Sequence, residues 1–272
     1  MHIRRNIILF FLLTYAFTWV GNIGIIMGSS DWWAFPMNPL GPLMAAPIVI
    51  GLTLGWRGVK DWARRITRFR APLWVYAASI GIPTAIILAS VGLSIATGSA
   101  HALDASDIAA WSTNAGGLMF LAFALFEIIN GPYPEEVSFR GHGQHDLQQT
   151  MSPLQASLWI GIGVLIWHLP LLILNFIPWP LAVALPAVSV VYGWLYQNGK
   201  SLYPLVILHL VQNVVGAGFF GRMFSEGENF VWLSFLTGFY ILLAIGLAWK
   251  FGPSLVKGRD REWVRETDVR LA

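Results

Sequence analysis

Eight apolar segments, separated by more polar stretches, decide what this chain can fold into. They run at about Ile7–Ile26, Pro39–Leu54, Leu73–Ile95, Gly116–Ile129, Leu154–Leu174, Trp179–Tyr196, Leu202–Phe220 and Phe230–Lys250. A helix crosses the hydrocarbon core of a bilayer in about 20 residues, with a range of about 17–25. Inside lipid only helices and closed barrels satisfy their own backbone groups. The second and fourth segments are short, and are expected to tilt little or to continue into neighbouring polar turns. Only 11% of the 272 residues are charged and 56% are hydrophobic, whereas an ordinary soluble domain is about 25% charged. The predicted fold class is therefore all-α, a polytopic membrane helix bundle of about eight transmembrane helices. It reads as one integral membrane domain over residues 1–272, with a motif-bearing core at about 116–221 and a polar tail at about 252–272. The first segment is too long for the apolar core of a signal peptide, and no small-x-small cleavage site follows it cleanly.

The basic residues are sorted by loop. Arg4 and Arg5 precede the first segment, and Arg57, Lys60, Arg64, Arg65, Arg68 and Arg70 lie between the second and third. Lys200 follows the sixth, and Lys257, Arg259, Arg261, Arg265 and Arg270 follow the eighth. The alternate loops hold Asp31, Asp104, Asp107, Glu226 and Glu228, with Arg222 as their base. By the positive-inside rule both termini are expected in the cytoplasm, which requires an even number of crossings. Bases arranged in this way imply a lipid bilayer as partner and no nucleic acid. Gly58 to Arg70 reads as a helix on the cytoplasmic surface, with Trp62, Ile66 and Phe69 at helical intervals and bases opposite, which suits anionic headgroups. An ordinary positive-inside loop accounts for the same bases.

The absence of cysteine excludes disulfides and thiolate metal sites. Chemistry must come from other residues, and three clusters stand out. In Gly131-Pro132-Tyr133-Pro134-Glu135-Glu136-Val137-Ser138-Phe139-Arg140-Gly141, two carboxylates and an arginine edge an apolar segment. Charge near the middle of a bilayer helix costs about 2.5–3.5 kcal/mol on insertion scales, and it persists mainly where it faces a bundle interior or a wet cavity. Pro132 and Pro134 fit a helix that begins there. Adjacent helical residues point about 100° apart, so Glu135 and Glu136 cannot serve one target. Glu136 stands four residues before Arg140, the favourable order for an ion pair, which leaves Glu135 as the free carboxylate. Pairing of both glutamates with surface bases is the alternative.

His168 lies in a long apolar run, and Pro170 predicts a kink beside it. A histidine there also serves as a hydrogen-bonded packing residue. His209 and Asn213 share one helix face, where imidazole and carboxamide form a pair of neutral donors suited to an oxyanion. Interhelical hydrogen bonding explains such a pair equally well. His142 and His145 read as surface loop residues rather than metal ligands. Glu127 is a candidate supporting charge without a named partner. His2 and His101 fit no cluster.

At these residues the chain resembles the CPBP family, the CAAX protease and bacteriocin-processing group of intramembrane proteases. Glu135, Glu136 and Arg140 match its Glu-Glu-x-x-x-Arg motif, His168 its second motif, and His209 with Asn213 its His-x-x-x-Asn motif. Val164 stands where the family commonly has an aromatic residue, although Leu165-Ile166-Trp167-His168-Leu169-Pro170 is similar to a bacterial branch. Gly193-Trp194-Leu195-Tyr196, Ser201-Leu202-Tyr203-Pro204 and Asn38-Pro39-Leu40-Gly41-Pro42-Leu43 add to the likeness.

The resemblance implies an eight-helix bundle in a bacterial inner membrane, with a conical cavity open to the cytoplasm. It implies hydrolysis of a peptide bond in a membrane-associated protein or peptide. Glu135 would activate a water that His168 helps to hold, His209 and Asn213 would stabilise the oxyanion, and Glu136 with Arg140 would fix the geometry. Two cofactor readings stay open. Glu135, His168 and His209 could form the His₂Glu set of a catalytic Zn²⁺, or the same residues could work without metal. A proton-coupled transporter and a catalytically silent scaffold or immunity protein are the competing functions. The transporter reading requires inverted repeats, and none is evident in the sequence.

Overall fold

Large apolar side chains cover the outside of the protein and small polar ones are buried within it. Leu52, Leu73, Ile129, Leu242 and Trp249 are exposed, while Thr14, Thr18, Ser90, Ser157 and Ser189 are buried. This distribution suits lipid outside and hydrogen bonding inside. The computed structural model describes residues 2–30, 39–104, 106, 109 and 116–257. Asp31, Asn38, Asp107 and the polar tail with Arg259, Arg261, Arg265 and Arg270 lie outside them.

All regular structure among the described residues is helical. Helix α1 spans His2–Ile26, α2 Gly41–Ile66, α3 Leu73–Ala96 and α4 Gly116–Asn130. Helix α5 is short, Pro132–Ser138, and runs on through a π-helical turn at Phe139–Gln144 and the turn His145–Leu147. Then come α6 (Pro153–Trp167), α7 (Leu169–Ile173) and α8 (Trp179–Gly199). Helix α9 (Tyr203–Val211) continues into π-helix at Gln212–Phe219, and α10 spans Glu226–Phe251.

Six stretches are long and apolar enough to cross a membrane: Arg5–Ile26, Gly41–Ile66, Leu73–Ala96, Trp179–Gly199, Tyr203–Arg222 and Glu226–Ser254. The protein is thus an all-helical polytopic bundle with six such helices among the described residues, two fewer than the hydropathy segments predict. The other two segments carry shorter helices. Helices α4 and α6 have 15 residues each, a rise of about 22 Å. Gly131, with φ −148° and ψ −73°, follows the end of α4 and separates it from α5. Helix α6 ends at His168, ahead of Pro170. Both helix ends fall beside residues that carry the motifs.

Helix α8 packs against α6 and α10, α1 pairs with α2, and α3 lies against α9 and α10. Small residues let α6 and α8 approach closely. A Cβ on Gly161 would lie 2.6 Å from Pro186 Cα, and the Ser189 hydroxyl donates to the Ser157 carbonyl at 2.7 Å. Membrane helices lack a hydrophobic drive to associate, so such contacts hold them together.

The two ends of the bundle differ in charge. At one end the Ser201 hydroxyl donates to the Arg68 carbonyl at 2.7 Å, which joins the turn after Lys200 to the basic segment after α2. At the other, Glu228 accepts from the backbone N–H of His101 at 2.7 Å. The predicted surface helix is real but is the second half of α2. It is set off by Gly55 (φ +65°, ψ −166°), a left-handed conformation that glycine adopts readily, and it ends at Thr67. Trp62 is buried against the bundle, not turned to lipid. Phe69 lies past the end of the helix and is exposed, so it does not belong to the buried face.

Candidate active site

Glycine and proline chemistry sets where the carboxylates stand. Gly131 ends the α4 direction, Pro132 and Pro134 occupy the first turn of α5, and Glu135 and Glu136 follow with their side chains inward. The two glutamates meet different surroundings. Glu136 is 1% exposed. Its Oε1 accepts from His209 Nδ1 at 3.0 Å, and its Oε2 lies 3.3 Å from Arg140 Nε. The expected Glu136–Arg140 pair is therefore present, with His209 as an additional partner. The Glu135 carboxylate makes no hydrogen bond or ion pair among the described residues, although the residue is 7% exposed.

Arg140 is held on several sides. Its guanidinium lies 4.6 Å from the centre of the Tyr192 ring, and its Nη2 is 3.3 Å from the Ser189 hydroxyl. Tyr192 donates to Gln212 Oε1 at 3.0 Å, and Gln212 Nε2 donates to the Tyr240 hydroxyl at 3.1 Å. Behind Arg140, the end of α5 and the π-helical turn are gripped from the second half of α2. Trp62 Nε1–H donates to the Val137 carbonyl at 3.1 Å and Arg65 Nε–H to the Gly141 carbonyl at 2.9 Å. π-Helical turns leave carbonyls off the regular ladder and occur frequently at functional sites.

His168 sits at the junction of α6 and α7. Its Nδ1 is 2.8 Å from the Val164 carbonyl, which assigns Nδ1–H as donor and leaves a lone pair on Nε2. The junction is fixed from α1, because Trp19 donates to the Trp167 carbonyl at 3.0 Å and Trp167 donates to the Thr18 hydroxyl at 2.9 Å. His168 and His209 lie within coulombic reach of each other, and so do His209 and Glu135.

Asn213 lies where α9 has become π-helical, and its Nδ2 donates to Glu127 Oε2 at 2.9 Å. Glu127 thereby gains the partner that its sequence position leaves unnamed. A Cβ on Gly131 would stand 3.4 Å from Glu135 Oε1 and 3.7 Å from Asn213 Nδ2, so both groups border the space above the glycine. The pairing with Glu136 also changes the reading of His209. A neutral imidazole has one N–H, and Nδ1–H is already given to Glu136. Nε2 can then donate only when the ring carries two protons, so His209 is not a neutral donor toward that space.

His142 and His145 are not surface loop residues. His142 is 1% exposed and packs edge-on against Phe10 with ring centres 5.0 Å apart. Its Nδ1 lies 3.6 Å from Asp146. His145 Nε2 is 3.1 Å from Arg65 Nη1 and must accept from it, because a guanidinium only donates.

The set Glu135, His168 and His209 does not fit a catalytic Zn²⁺. Among the described residues no three His, Asp or Glu side chains come together as a metal-holding group. No metal step is assigned to them.

Residues 117–215 match the family described as Rce1-like, "Type II CAAX prenyl endopeptidase Rce1-like". The match covers a little over a third of the chain. Glu127, Glu135, Glu136, Arg140, His168, His209 and Asn213 all fall inside it. No curated protein matches the chain.

Proposed function

We propose that this chain, with its Rce1-like segment at residues 117–215, is an intramembrane endopeptidase acting on a membrane-associated protein or peptide. The observation that carries the reading is the unequal treatment of adjacent carboxylates. Glu136 is paired with His209 and Arg140, while the Glu135 carboxylate is enclosed without a hydrogen bond among the described residues. An intramembrane carboxylate kept without a partner costs free energy, and such residues mark functional sites.

In the proposed reaction Glu135 takes a proton from a water molecule. The water oxygen bonds to the scissile carbonyl carbon, and the carbonyl electron pair moves onto oxygen. His168 Nε2 accepts a hydrogen bond from that water and holds it. Asn213 Nδ2, with one hydrogen given to Glu127 and one remaining, donates to the oxyanion. His209 Nε2 joins it in the doubly protonated ring. Glu136 and Arg140 act through His209 by fixing the orientation of its ring. When the tetrahedral species collapses, the C–N bond breaks and Glu135 returns its proton to the leaving nitrogen. A positioned general base supplies about 10²–10⁴-fold and one oxyanion donor about 10²–10³-fold.

Membranes containing the wild-type chain should show peptide termini that are absent from membranes containing Glu135→Ala, read by terminal proteomics. Identical sets of termini would refute the endopeptidase reading.

The same proposal includes eight crossings of the inner (cytoplasmic) membrane, counting α4 and α6 with their continuations, and both termini in the cytoplasm. Support comes from the grouping of basic segments at one end of the bundle and of His101 with Glu228 at the other. A reporter fused after Ala272 should report the cytoplasm, whereas one inserted between Gly98 and Ala100 should report the opposite side. A reporter after Ala272 on the far side would overturn this topology.

A further inference from the structure

The second half of α2 uses only one of its faces for the fold. Trp62, Arg65 and Ile66 turn inward to the π-helical turn and to Gly141. The opposite face carries Arg57, Lys60 and Arg64 with a single acid, Asp61. Asp61 is engaged by Arg64 at 3.2 Å. Arg57 and Lys60 have no acidic partner among the described residues, and Lys60 Nζ stands 5.8 Å from the centre of the Trp56 ring. Trp56, Arg57, Lys60, Asp61 and Arg64 line an open cavity of ≈ 290 Å³. Excess positive charge in a cavity beside an aromatic face fits a phosphate group.

The surroundings identify what carries that phosphate. Trp56 is 69% exposed at one end of the basic segment and Phe69 63% at the other, with Leu54 and Leu73 also exposed nearby. Aromatic rings flanking cations are the arrangement of the membrane interface, where rings sit at headgroup level. A water-facing phosphate site gains nothing from apolar neighbours. We propose that this face of α2 is a binding site for the phosphate-bearing headgroup of an anionic lipid, with Arg57 and Lys60 as its principal contacts and Arg64 supporting them. The site stands independently of peptide hydrolysis. Each basic residue near an anionic surface contributes about fivefold in affinity, so three contribute about 10²-fold.

The test uses the full chain in neutral detergent, with lipid binding read by native mass spectrometry. Phosphatidylglycerol should bind wild type at least tenfold more tightly than phosphatidylcholine. The variant Arg57→Gln/Lys60→Gln/Arg64→Gln, whose altered side chains are solvent-exposed, should lose that preference. Arg5→Gln/Lys250→Gln/Lys257→Gln removes equal charge elsewhere and should retain it within twofold. Brominated phosphatidylglycerol should also quench wild-type fluorescence more than that of Trp56→Phe, a reading that needs no change to the basic residues. Equal losses in the two charge variants would reduce the effect to net charge and overturn the site. So would displacement of the lipid by millimolar inorganic phosphate, or quenching equal in wild type and Trp56→Phe.

Discussion

Glu135→Gln is expected to lower turnover by about 10²–10⁴-fold, the contribution of a positioned general base, while the protein folds as before. The expectation follows from what the side chain touches. The Glu135 carboxylate has no hydrogen bond among the described residues, so an amide of the same shape leaves no partner stranded. Replacing an enclosed carboxylate by a neutral group also removes the cost of keeping a charge from water. The melting midpoint in detergent should therefore stay level or rise. In the proposed metal-free reaction, a chelator should leave wild-type turnover unchanged. Substantial turnover by the purified variant on a verified substrate would remove Glu135 from its assigned role. Loss of wild-type activity on chelation, restored by one divalent ion, would instead defeat the metal-free chemistry while leaving the residue essential.

How far the sequence could be read depended on the distance between partners along the chain. The Glu136–Arg140 pair was readable because i, i+4 spacing belongs to a single helix. The start of α5 was readable because Pro132 and Pro134 suit a first turn and not an interior. Hydropathy located the apolar segments to within a few residues. Six helices among the described residues are long enough to cross a membrane: the fourth segment is as short as expected, and averaging over the fifth does not register the helix end at His168. The cross-bundle pairs were hidden for another reason. His209 reaches Glu136 across 73 positions and Asn213 reaches Glu127 across 86. Nothing in local spacing encodes which helices adjoin, so Glu127 stood without a partner and His209 without the carboxylate that takes its Nδ1–H. His142 and His145 were misread by their polar neighbours. Gly141 and Gly143 let the π-helical turn pack closely, where a Cβ on Gly143 would come within 2.9 Å of Ile160, and the histidines are carried inward with it.

Glu136→Gln should behave differently from its neighbour, with loss of folded protein as well as of turnover. The carboxylate presents one oxygen to His209 Nδ1–H and the other to the Arg140 guanidinium. A carboxamide has one acceptor oxygen and an N–H₂ group. With its oxygen toward Arg140, the amide N–H₂ meets His209 Nδ1, which can accept only if its proton moves to Nε2, and the Arg140 charge, 4% exposed, loses its counter-ion. Breaking a buried pair from one side costs about 3–5 kcal/mol, a large share of a typical stability of about 5–15 kcal/mol. The melting midpoint and the yield of monodisperse protein should both fall. Activity should fall too, because His209 loses the group that orients its ring. Adding Arg140→Met removes the orphaned charge, so Glu136→Gln/Arg140→Met should recover part of the lost stability and little of the activity. That split separates the two consequences of the pair, its share in holding the fold and its share in aiming His209. A Glu136→Gln protein with unchanged melting and no turnover would instead make Glu136 a direct chemical participant. The division of labour between the two glutamates would then have to be reversed.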